Sequence, residues 1–432
     1  MVKSQKYAEL EIGNKKLLFV ASRQFWPTSG GKEITLYFNC KGLSEEYNYD
    51  IYLFCFVDKN AQRDLEKPEF IKELVYADIP STRQGIANIL KHSFLEKGWP
   101  LQNSLYYNKK ISKELITFCE KIEPDVVVID MVRLVPYADD LFKMTKKLWK
   151  KTILIEDDLL AKRYRRQLEA SSSGNMAGQY SKNLSSMLNR LSSIPVVKKT
   201  VLSLEAGRLE RYERSCMDKF DHITFISPIE TAEFNSMYHT SKGVTLTMGA
   251  DVKYYAEGSV DSYEQNSMSI VANFTTAANA DSIEYICSEI IPRLPESTKY
   301  YVMGRCPDEI KRKYKSQKVE FLGFVDDIRK VAKATTLYLS PMAYGTGIKT
   351  KIVEAMAMGI PVVTNAIGAE GLDVQDGEHL FVCKTNDEIV ERINQLFSDE
   401  NLRERIALTG QRFVLENHTW QKVYEAFGLM GL

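Results

Sequence analysis

Short runs of apolar, β-prone residues alternate with helix-like patterns along most of the chain, and this alternation constrains the fold more than any other feature. The first series comprises residues 16–22, 49–56, 125–130, 151–156, 222–227 and 243–248. The second comprises residues 269–274, 299–304, 319–324, 336–341, 361–365 and 380–383. Strands separated by helical segments are typical of βαβ units, so we predict an α/β protein with parallel, doubly wound sheets.

The polar stretch between the two series divides the chain. Residues 254–268 lack any apolar periodicity, which is typical of a linker. We therefore expect two Rossmann-like domains, an N-terminal one at residues 1–255 and a C-terminal one at 268–412, joined by a linker at 256–267. Ligands of such sheets bind beyond the carboxyl ends of the strands, so the predicted site is the cleft between the domains.

Composition narrows the classes of partner and compartment. The 432 residues contain 57 Lys and Arg against 57 Asp and Glu, which leaves no overall field to attract nucleic acid. The seven cysteines are scattered without a C-x-x-C pair, which argues against a disulfide framework or a zinc site. No apolar run approaches the roughly 20 residues of a membrane span. We expect a cytoplasmic protein without a bound metal.

One region interrupts the alternation of strands and helices. Residues 160–220 are helix-like and carry twelve Lys or Arg against five Asp or Glu, and residues 170–179 within them have a mobile composition. This basic insertion is either a solvated helical elaboration or a surface for an anionic acceptor or anionic lipid headgroups. In the second case the protein contacts the inner face of a membrane through Arg163, Arg165, Arg166, Lys198 and Lys199.

Two glycine-containing segments, SGGKEIT at residues 29–35 and GTGIKTK at 345–351, each follow a predicted strand and precede a helix. Neither matches a P-loop, because the first has Glu33 after its Gly-Lys pair and the second has no such pair. Glycines and a helix amino end still favour anion binding. Lys351 and Glu354 share one helical face, where they can hold a diphosphate and a ribose diol, or form only a surface ion pair.

The segment GTGIKTKIVEAMAMGIPVVTNAIGAEGL, residues 345–372, resembles the donor-binding signature of family-four glycosyltransferases with the GT-B fold. Further similar segments follow in the family's order: the double-glycine loop at 27–38, PDVVVIDMVRLVPYA at 124–138, HITFISPIETAEF at 222–234 and FLGFVDDIRKVAKATTLYLSPM at 321–342. The end of the chain, residues 413–432, resembles the terminal helix that crosses back to the first domain. The resemblance spans nearly the whole chain and is weakest at residues 160–220.

The resemblance implies a nucleotide-sugar donor, and a sugar that is transferred with retention of its anomeric configuration. It assigns the ribose to Glu354, the diphosphate to Lys351 and the base to Phe324 and Val325. Further residues expected to bind the donor are Gly30, Gly31, Asn273, Arg305, Gly345, Thr346, Gly347, Ile348 and Lys349. No cofactor is implied besides the donor itself, which is a substrate.

Three positions depart from the family's pattern. Thr346 stands where the family has the first of two glutamates, and Asn273 follows a strand that usually ends in Arg and Lys, so Lys349, Lys351 and Arg305 are expected to supply the cations. Asp130 replaces a frequent histidine. With Arg133 it resembles bacterial sugar transferases of cell-surface polysaccharide assembly, which act on glycan or lipid-linked glycan acceptors.

The mechanism leaves alternatives open. Asp130 and Lys351 are the catalytic candidates, and Arg133, Asp157, Asp158 and Arg163 are candidates on the acceptor side. In a retaining reaction the leaving phosphate takes the acceptor's proton and Asp130 orients substrate, whereas inversion makes Asp130 or Asp157 the base. The acids at 156–158 are as well explained by a helix amino end as by a site.

Two further interpretations belong to other classes of protein. A binding or adaptor protein can keep this fold without turnover, and a sugar-nucleotide epimerase can share its two-domain shape. The histidines add no catalytic candidate, and we expect His92, His239 and His418 at the surface.

Overall fold

The computed structural model describes residues 14–28, 31–144, 149–169, 195–258, 263–345 and 347–432. Two parallel sheets organise them. The first sheet has the strand order β3-β2-β1-β4-β5-β6-β7. Its strands are β1 (Lys15–Ala21), β2 (Tyr49–Val57), β3 (Ile71–Asp78), β4 (Val126–Asp130), β5 (Lys151–Ile155), β6 (His222–Phe225) and β7 (Gly243–Thr245).

The second sheet has the strand order β10-β9-β8-β11-β12-β13. Its strands are β8 (Glu264–Val271), β9 (Lys299–Met303), β10 (Val319–Gly323), β11 (Thr335–Leu339), β12 (Val362–Asn365) and β13 (Phe381–Cys383). In both sheets the order of the strands reverses between the first and the fourth strand of the domain, that is, between β1 and β4 and between β8 and β11. Such switch points open a crevice at the carboxyl edge, and the predicted α/β class with two Rossmann-like domains is confirmed.

Helices connect the strands within both domains. In the first domain they are α1 (Gly31–Glu45), α2 (Thr82–Asn88), α3 (Leu101–Tyr106), α4 (Lys109–Ile122), α5 (Val135–Met144), α6 (Leu160–Glu169), α7 (Pro195–Cys216), α8 (Pro228–Tyr238) and α9 (Val252–Ala256). In the second part of the chain they are α10 (Ala277–Tyr285), α11 (Asp308–Tyr314), α12 (Ile328–Ala332), α13 (Thr350–Ala357), α14 (Asn386–Ser398), α15 (Glu400–Asn417) and α16 (Trp420–Leu429). Shorter π- and 3₁₀-helical turns are Ile89–Glu96, Val132–Leu134, Ile286–Ile290 and Ile291–Arg293.

Helix α4 illustrates why these connections are helical. Ile111, Leu115, Phe118 and Ile122 recur at spacings of three and four residues, and all four are buried in the core of the first domain. Asn108 caps the helix by accepting a hydrogen bond from the Lys110 amide. The helix therefore covers one face of the first sheet with a continuous apolar stripe.

The last helix belongs to the first domain by packing. Trp420 of α16 stacks on Phe38 of α1 with ring centroids 4.4 Å apart, and Val423 and Phe427 are buried in the same core as β1. A Cβ atom on Gly42 would lie 2.2 Å from the Tyr424 ring, so α1 and α16 approach closely only because residue 42 is glycine. The chain thus returns from the second domain to seal the first.

Several expectations about elements differ from the structure. Strand β3 was not predicted, and β8 begins at Glu264, inside the segment expected to be linker. The described parts of the basic insertion form α6 and α7, whereas residues 170–179, expected to be mobile, lie outside the described residues.

Two surface predictions were wrong. His92 and His418 are buried, His92 beside Trp99 and Tyr107 with ring centroids 4.9 and 5.5 Å away. His239 is exposed as expected.

All seven cysteines lie in described residues, and each is buried and forms no disulfide.

Candidate active site

Two helix amino ends, one from each domain, face each other across the cleft. Gly31 opens α1 after β1, and Thr350 opens α13 after β11. A Cβ atom on Gly31 would lie 3.2 Å from Thr350 Cγ2, so the first turns of the two helices are in direct contact. Each helix start carries unpaired amides and partial positive charge, which suits an anion. Gly30, the other predicted glycine of the first loop, lies outside the described residues.

The loop before α13 packs against the first domain. Gly347 has a φ of +68°, and a Cβ atom there would lie 3.7 Å from Glu230 Oε2 and 3.9 Å from Asp158 Cβ. Ile348 is buried, and the Lys349 ammonium donates to the Gly347 carbonyl. Burial lowers the pKa of Lys349 to about 8, although Glu370 and Asp158 act in the opposite direction. Thr346 lies outside the described residues.

Lys351 and Glu354 occupy the first turns of α13 without pairing with each other. Lys351 Nζ donates to Asn279 Oδ1 at 2.9 Å, and burial together with Lys349 lowers the pKa of Lys351 to about 7. Burial raises the pKa of Glu354, while a hydrogen bond from the Tyr255 hydroxyl offsets part of that shift. The alternative of a Lys351–Glu354 surface ion pair is therefore wrong.

Predicted donor residues of the neighbouring loops lie at the carboxyl edge of the second sheet. Asn273 is exposed after β8, and its Oδ1 accepts from Thr275, while its carbonyl accepts from Asn279, the partner of Lys351. Arg305 is exposed after β9. Phe324, after β10, leaves 83% of its surface exposed, and Val325 packs partly on the domain core. An exposed aromatic ring at this edge suits stacking on a nucleotide base.

Asp130 ends β4 in a fully buried position, with contacts to both of its carboxylate oxygens. Its Oδ1 pairs with Lys32 Nζ at 2.7 Å, and its Oδ2 accepts from the amide and hydroxyl of Ser22 at 3.0 and 2.5 Å. Burial alone would raise the pKa of Asp130, but the charge of Lys32 and these hydrogen bonds hold it below the ordinary value. The side chain has 0% exposure, so its carboxylate is inaccessible to a substrate in this arrangement.

The residue after Asp130 stores backbone strain. Met131 has φ +70° and ψ 145°, a region that non-glycine residues rarely occupy. Its amide donates to the Ile155 carbonyl at 2.8 Å, which fixes the end of β4 against β5. Strain at this point indicates that the chain direction after Asp130 is held by its surroundings.

Lys32 connects α1 to two carboxylates. Its ammonium lies 2.7 Å from Asp130 Oδ1 and 2.7 Å from Asp157 Oδ1. Burial alone would lower the pKa of Lys32, but Asp130 and Asp157 raise it above its ordinary value. In the sequence, Lys32 stood out only as part of a segment that does not match a P-loop. Its ion pairs with both Asp130 and Asp157 were therefore not predicted.

The remaining acceptor-side candidates differ in their surroundings. Asp158 is buried and pairs with Arg163 at 2.9 Å. Arg133 is buried against the Tyr106 ring, 5.1 Å from its centroid. The side chains of Asp157 and Arg163 are 27% and 30% exposed, so these two remain partly accessible.

Arg166 joins the two domains. Its guanidinium donates to the Gly345 carbonyl at 2.9 Å and to Glu370 Oε2 at 2.6 Å. Arg163 and Arg165 pair with Asp158 and Glu210. These three arginines of the predicted membrane surface are therefore engaged in ion pairs, and the side chains of Lys198 and Lys199 lie outside the described part.

Two features of the described residues bear on membrane insertion and metal binding. Within the residues that the structure describes, no helix is long and apolar enough to cross a membrane. The same residues contain no group of three or more His, Cys, Asp or Glu side chains placed to hold a metal ion.

Comparison with known proteins gives the fold a name. Residues 265–399 match the family model described as Glycosyl transferases group 1. A sucrose-phosphate synthase from Thermosynechococcus elongatus superposes with a TM-score of 0.68 at 12% identity, over 96% of this chain and 98% of that one. The fold is GT-B. Anabaena Alr3699/HepE, solved with UDP and glucose, superposes with a TM-score of 0.63 at 15% identity, over 97% of this chain and 100% of that one.

Sequence similarity to curated proteins is confined to part of the chain. A phosphatidyl-myo-inositol mannosyltransferase of Mycobacterium leprae is 29% identical over 150 residues, which are 32% of this chain and 40% of that relative. The chain therefore matches less than half of this relative's length. The chain thus has the GT-B fold of the solved structures and a segment, residues 265–399, that matches the group 1 glycosyltransferase model.

Proposed function

We propose that this protein is a glycosyltransferase that moves a sugar from a nucleotide-sugar donor to a glycan or lipid-linked glycan acceptor. The observation that carries the proposal is the contact between Gly31 and Thr350, which joins two helix amino ends in a GT-B cleft. Such a pair of positive helix ends suits a diphosphate bound between the domains. The match of residues 265–399 to group 1 glycosyltransferases supports this interpretation.

The donor is proposed to lie along the carboxyl edge of the second sheet. Phe324 offers its exposed ring to the base, and Glu354 accepts hydrogen bonds from the ribose hydroxyls. Lys349, Lys351 and the amides that open α13 balance the diphosphate charge, with no metal required in this scheme. The chain's own groups thus supply the charge that stabilises the leaving nucleoside diphosphate.

We propose that transfer retains the anomeric configuration. The bond between the sugar's anomeric carbon and the donor phosphate breaks, the acceptor oxygen bonds to that carbon, and the acceptor's proton passes to the leaving phosphate. Asp130 does not serve as base in this scheme, because its carboxylate is fully buried and already bonded to Lys32 and Ser22.

The proposed acceptor class draws on relatives and on the sequence pattern. The Mycobacterium leprae relative is a mannosyltransferase named for a phosphatidyl-inositol lipid. The Asp130 and Arg133 pattern resembles transferases of surface-polysaccharide assembly. We therefore place the protein in polysaccharide or glycolipid synthesis in the cytoplasm, with contact to an anionic membrane as a further proposal that liposome flotation at low and high salt tests.

Substitution of Glu354 tests the donor site. Charge-assisted hydrogen bonds to a ribose diol are worth about 1.5–3 kcal/mol, so Glu354→Gln should weaken donor binding by roughly 10- to 150-fold. Calorimetry with UDP, GDP and ADP, and then with the matching nucleotide sugars, measures the change. Glu391→Gln, on an exposed face of α14 in the same domain, is the matched control.

Turnover separates the proposal from an adaptor protein of the same fold. A glycosyltransferase releases nucleoside diphosphate from its donor, even if slowly to water, and EDTA should leave most of this activity in place. Nucleotide binding without any release, across UDP-, GDP- and ADP-hexoses and added alkyl glycosides, would favour the adaptor. A Glu354→Gln variant with unaltered affinity would instead remove the ribose assignment.

A further inference from the structure

The carboxylates that end β4 and follow β5 come together because the two strands are adjacent and parallel. Asp130 pairs with Ile155 in the register of β4 and β5, and Asp157 follows two residues later. Lys32, in the first turn of α1, reaches both carboxylates at 2.7 Å. The ammonium of Lys32 lies between the two carboxylates and offsets the repulsion of their like charges.

The two carboxylates differ in what they can still bind. Asp130 uses both oxygens on Lys32 and Ser22 and is inaccessible. Asp157 has only Oδ1 engaged with Lys32 in the described contacts, and its side chain is 27% exposed. Since a carboxylate offers about four acceptor positions, Asp157 keeps capacity for a hydroxyl donor at its exposed edge.

Asp157 lies near the loop that precedes α13, which is proposed to bind the donor. Its neighbour Asp158 has its Cβ 3.9 Å from the position of a Cβ on Gly347, in the loop that opens α13. Lys32 stands one residue after Gly31, which contacts Thr350. A hydroxyl held by Asp157 would therefore lie next to the helix ends assigned to the diphosphate.

We propose that Asp157, oriented by Lys32, binds the acceptor hydroxyl that receives the sugar, and that Asp130 is a positioning residue that acts through Lys32. The inference rests on the proposed glycosyl transfer. Asp157 accepts a hydrogen bond from the hydroxyl and orients its oxygen towards the anomeric carbon, while the proton leaves with the donor phosphate. Ser22 holds the Asp130 carboxylate in place by hydrogen bonds, Asp130 holds the Lys32 ammonium, and Lys32 in turn orients the Asp157 carboxylate.

Asp157→Asn is the central experiment, because its partly exposed side chain can change without opening the core. We expect nucleoside diphosphate affinity within threefold of wild type, but donor turnover at least tenfold slower, with water or with the best acceptor from an alkyl glycoside panel. Glu73→Gln is the matched control, since Glu73 is a carboxylate of the same sheet that pairs with Lys121 on the surface.

Asp130→Asn and Lys32→Arg test the positioning chain. Asp130→Asn should lower kcat and raise the acceptor KM, while its affinity for the nucleotide stays that of wild type. Lys32→Arg should retain more turnover than Lys32→Met. If Asp130→Asn does not fold, the comparison of the two Lys32 variants carries the test. Turnover of Asp157→Asn within threefold of wild type would overturn this inference alone, whereas wild-type protein that turns over no nucleotide sugar would overturn the proposed function with it.

Discussion

The protonation state of the Lys351 side chain is sensitive to the charge of its surroundings. Its pKa is lowered to about 7 by burial and by Lys349, whose own pKa is lowered to about 8. A bound diphosphate favours the protonated amines and raises both pKa values. If the diphosphate binds beside these lysines as proposed, its binding above pH 7 should take up protons, and its affinity should fall as pH rises from 7 to 9.

Calorimetry at pH 8 in two buffers with different ionisation enthalpies measures this proton uptake. Lys351→Met should reduce both the uptake and the affinity, whereas Lys384→Met, in the loop after β13 and outside the proposed site, should alter neither. Binding that takes up no proton at pH 8 would show that these lysines do not contact the diphosphate.

At the scale of single residues, local spacing selected part of the candidate site. Lys351 and Glu354 were found because they share one face at a helix start. Lys32 and Tyr255 were not, because their partners are distant in sequence: Lys32 bonds to Asp157, 125 residues away. A pair of this kind becomes visible only when parallel strands bring their carboxyl ends to one edge.

At the scale of elements, the apolar runs predicted twelve of the thirteen strands of the described chain. The missed strand, β3, lies at the edge of its sheet, and Lys72 and Glu73 interrupt its apolar pattern. A search for continuous buried runs overlooks such strands, since an edge strand has less surface to bury. All six strands of the second sheet were predicted, but β8 begins five residues before its predicted start, because its first residues, Glu264 to Asn266, are polar.

Because α1 contacts α16 at Gly42, we expect alanine to have opposite effects on stability at two helical glycines, Gly42 and Gly207. Alanine in place of glycine inside a helix normally stabilises by about 0.5–1 kcal/mol. At Gly42 the added methyl would collide with the Tyr424 ring, 2.2 Å away, so Gly42→Ala should destabilise by about 1–3 kcal/mol. Gly207→Ala in α7 meets nothing within 4 Å and should be neutral or stabilising.

Urea unfolding of the two variants beside wild type gives the comparison. Tyr424→Leu should reduce the cost of Gly42→Ala, because the smaller side chain makes room for the methyl group. Equal effects at positions 42 and 207 would mean that α16 does not pack on α1 as the structure has it.

At the scale of the whole molecule, the residues of the candidate site come together only where the two domains meet. The first domain supplies Gly31, Lys32 and Asp157, and the second supplies the loop and helix at residues 345–357. Helix α16 ties the chain back to the first domain at one end of the interface. Near the donor loop Arg166 bonds to Gly345 and Glu370, which makes it a direct polar link across the cleft.

Arg166 should therefore favour the closed arrangement of the domains. Hydrogen bonds to a charged group contribute about 1.5–3 kcal/mol, so Arg166→Met should lower the closed-to-open ratio by roughly tenfold or more. A nucleotide sugar or nucleoside diphosphate, whose diphosphate is proposed to lie between the two domains, should then bind more weakly, while the nucleoside without its phosphates, assigned to the second domain, should bind nearly as before. Small-angle scattering should detect a larger radius of gyration in the unliganded variant.

Arg165→Met is the matched control for this link, because Arg165 stands next to Arg166 on α6 but pairs with Glu210 inside the first domain. Its scattering profile and donor affinity should remain those of wild type. Glu370→Gln should lie between the two, since it removes the charge of one partner and leaves the bond from Arg166 to the Gly345 carbonyl. If Arg166→Met scatters like Arg165→Met and binds the nucleotide sugar as tightly, the domains are held together without this link, and closure must depend on the packing of α16 and of the loop around Gly347.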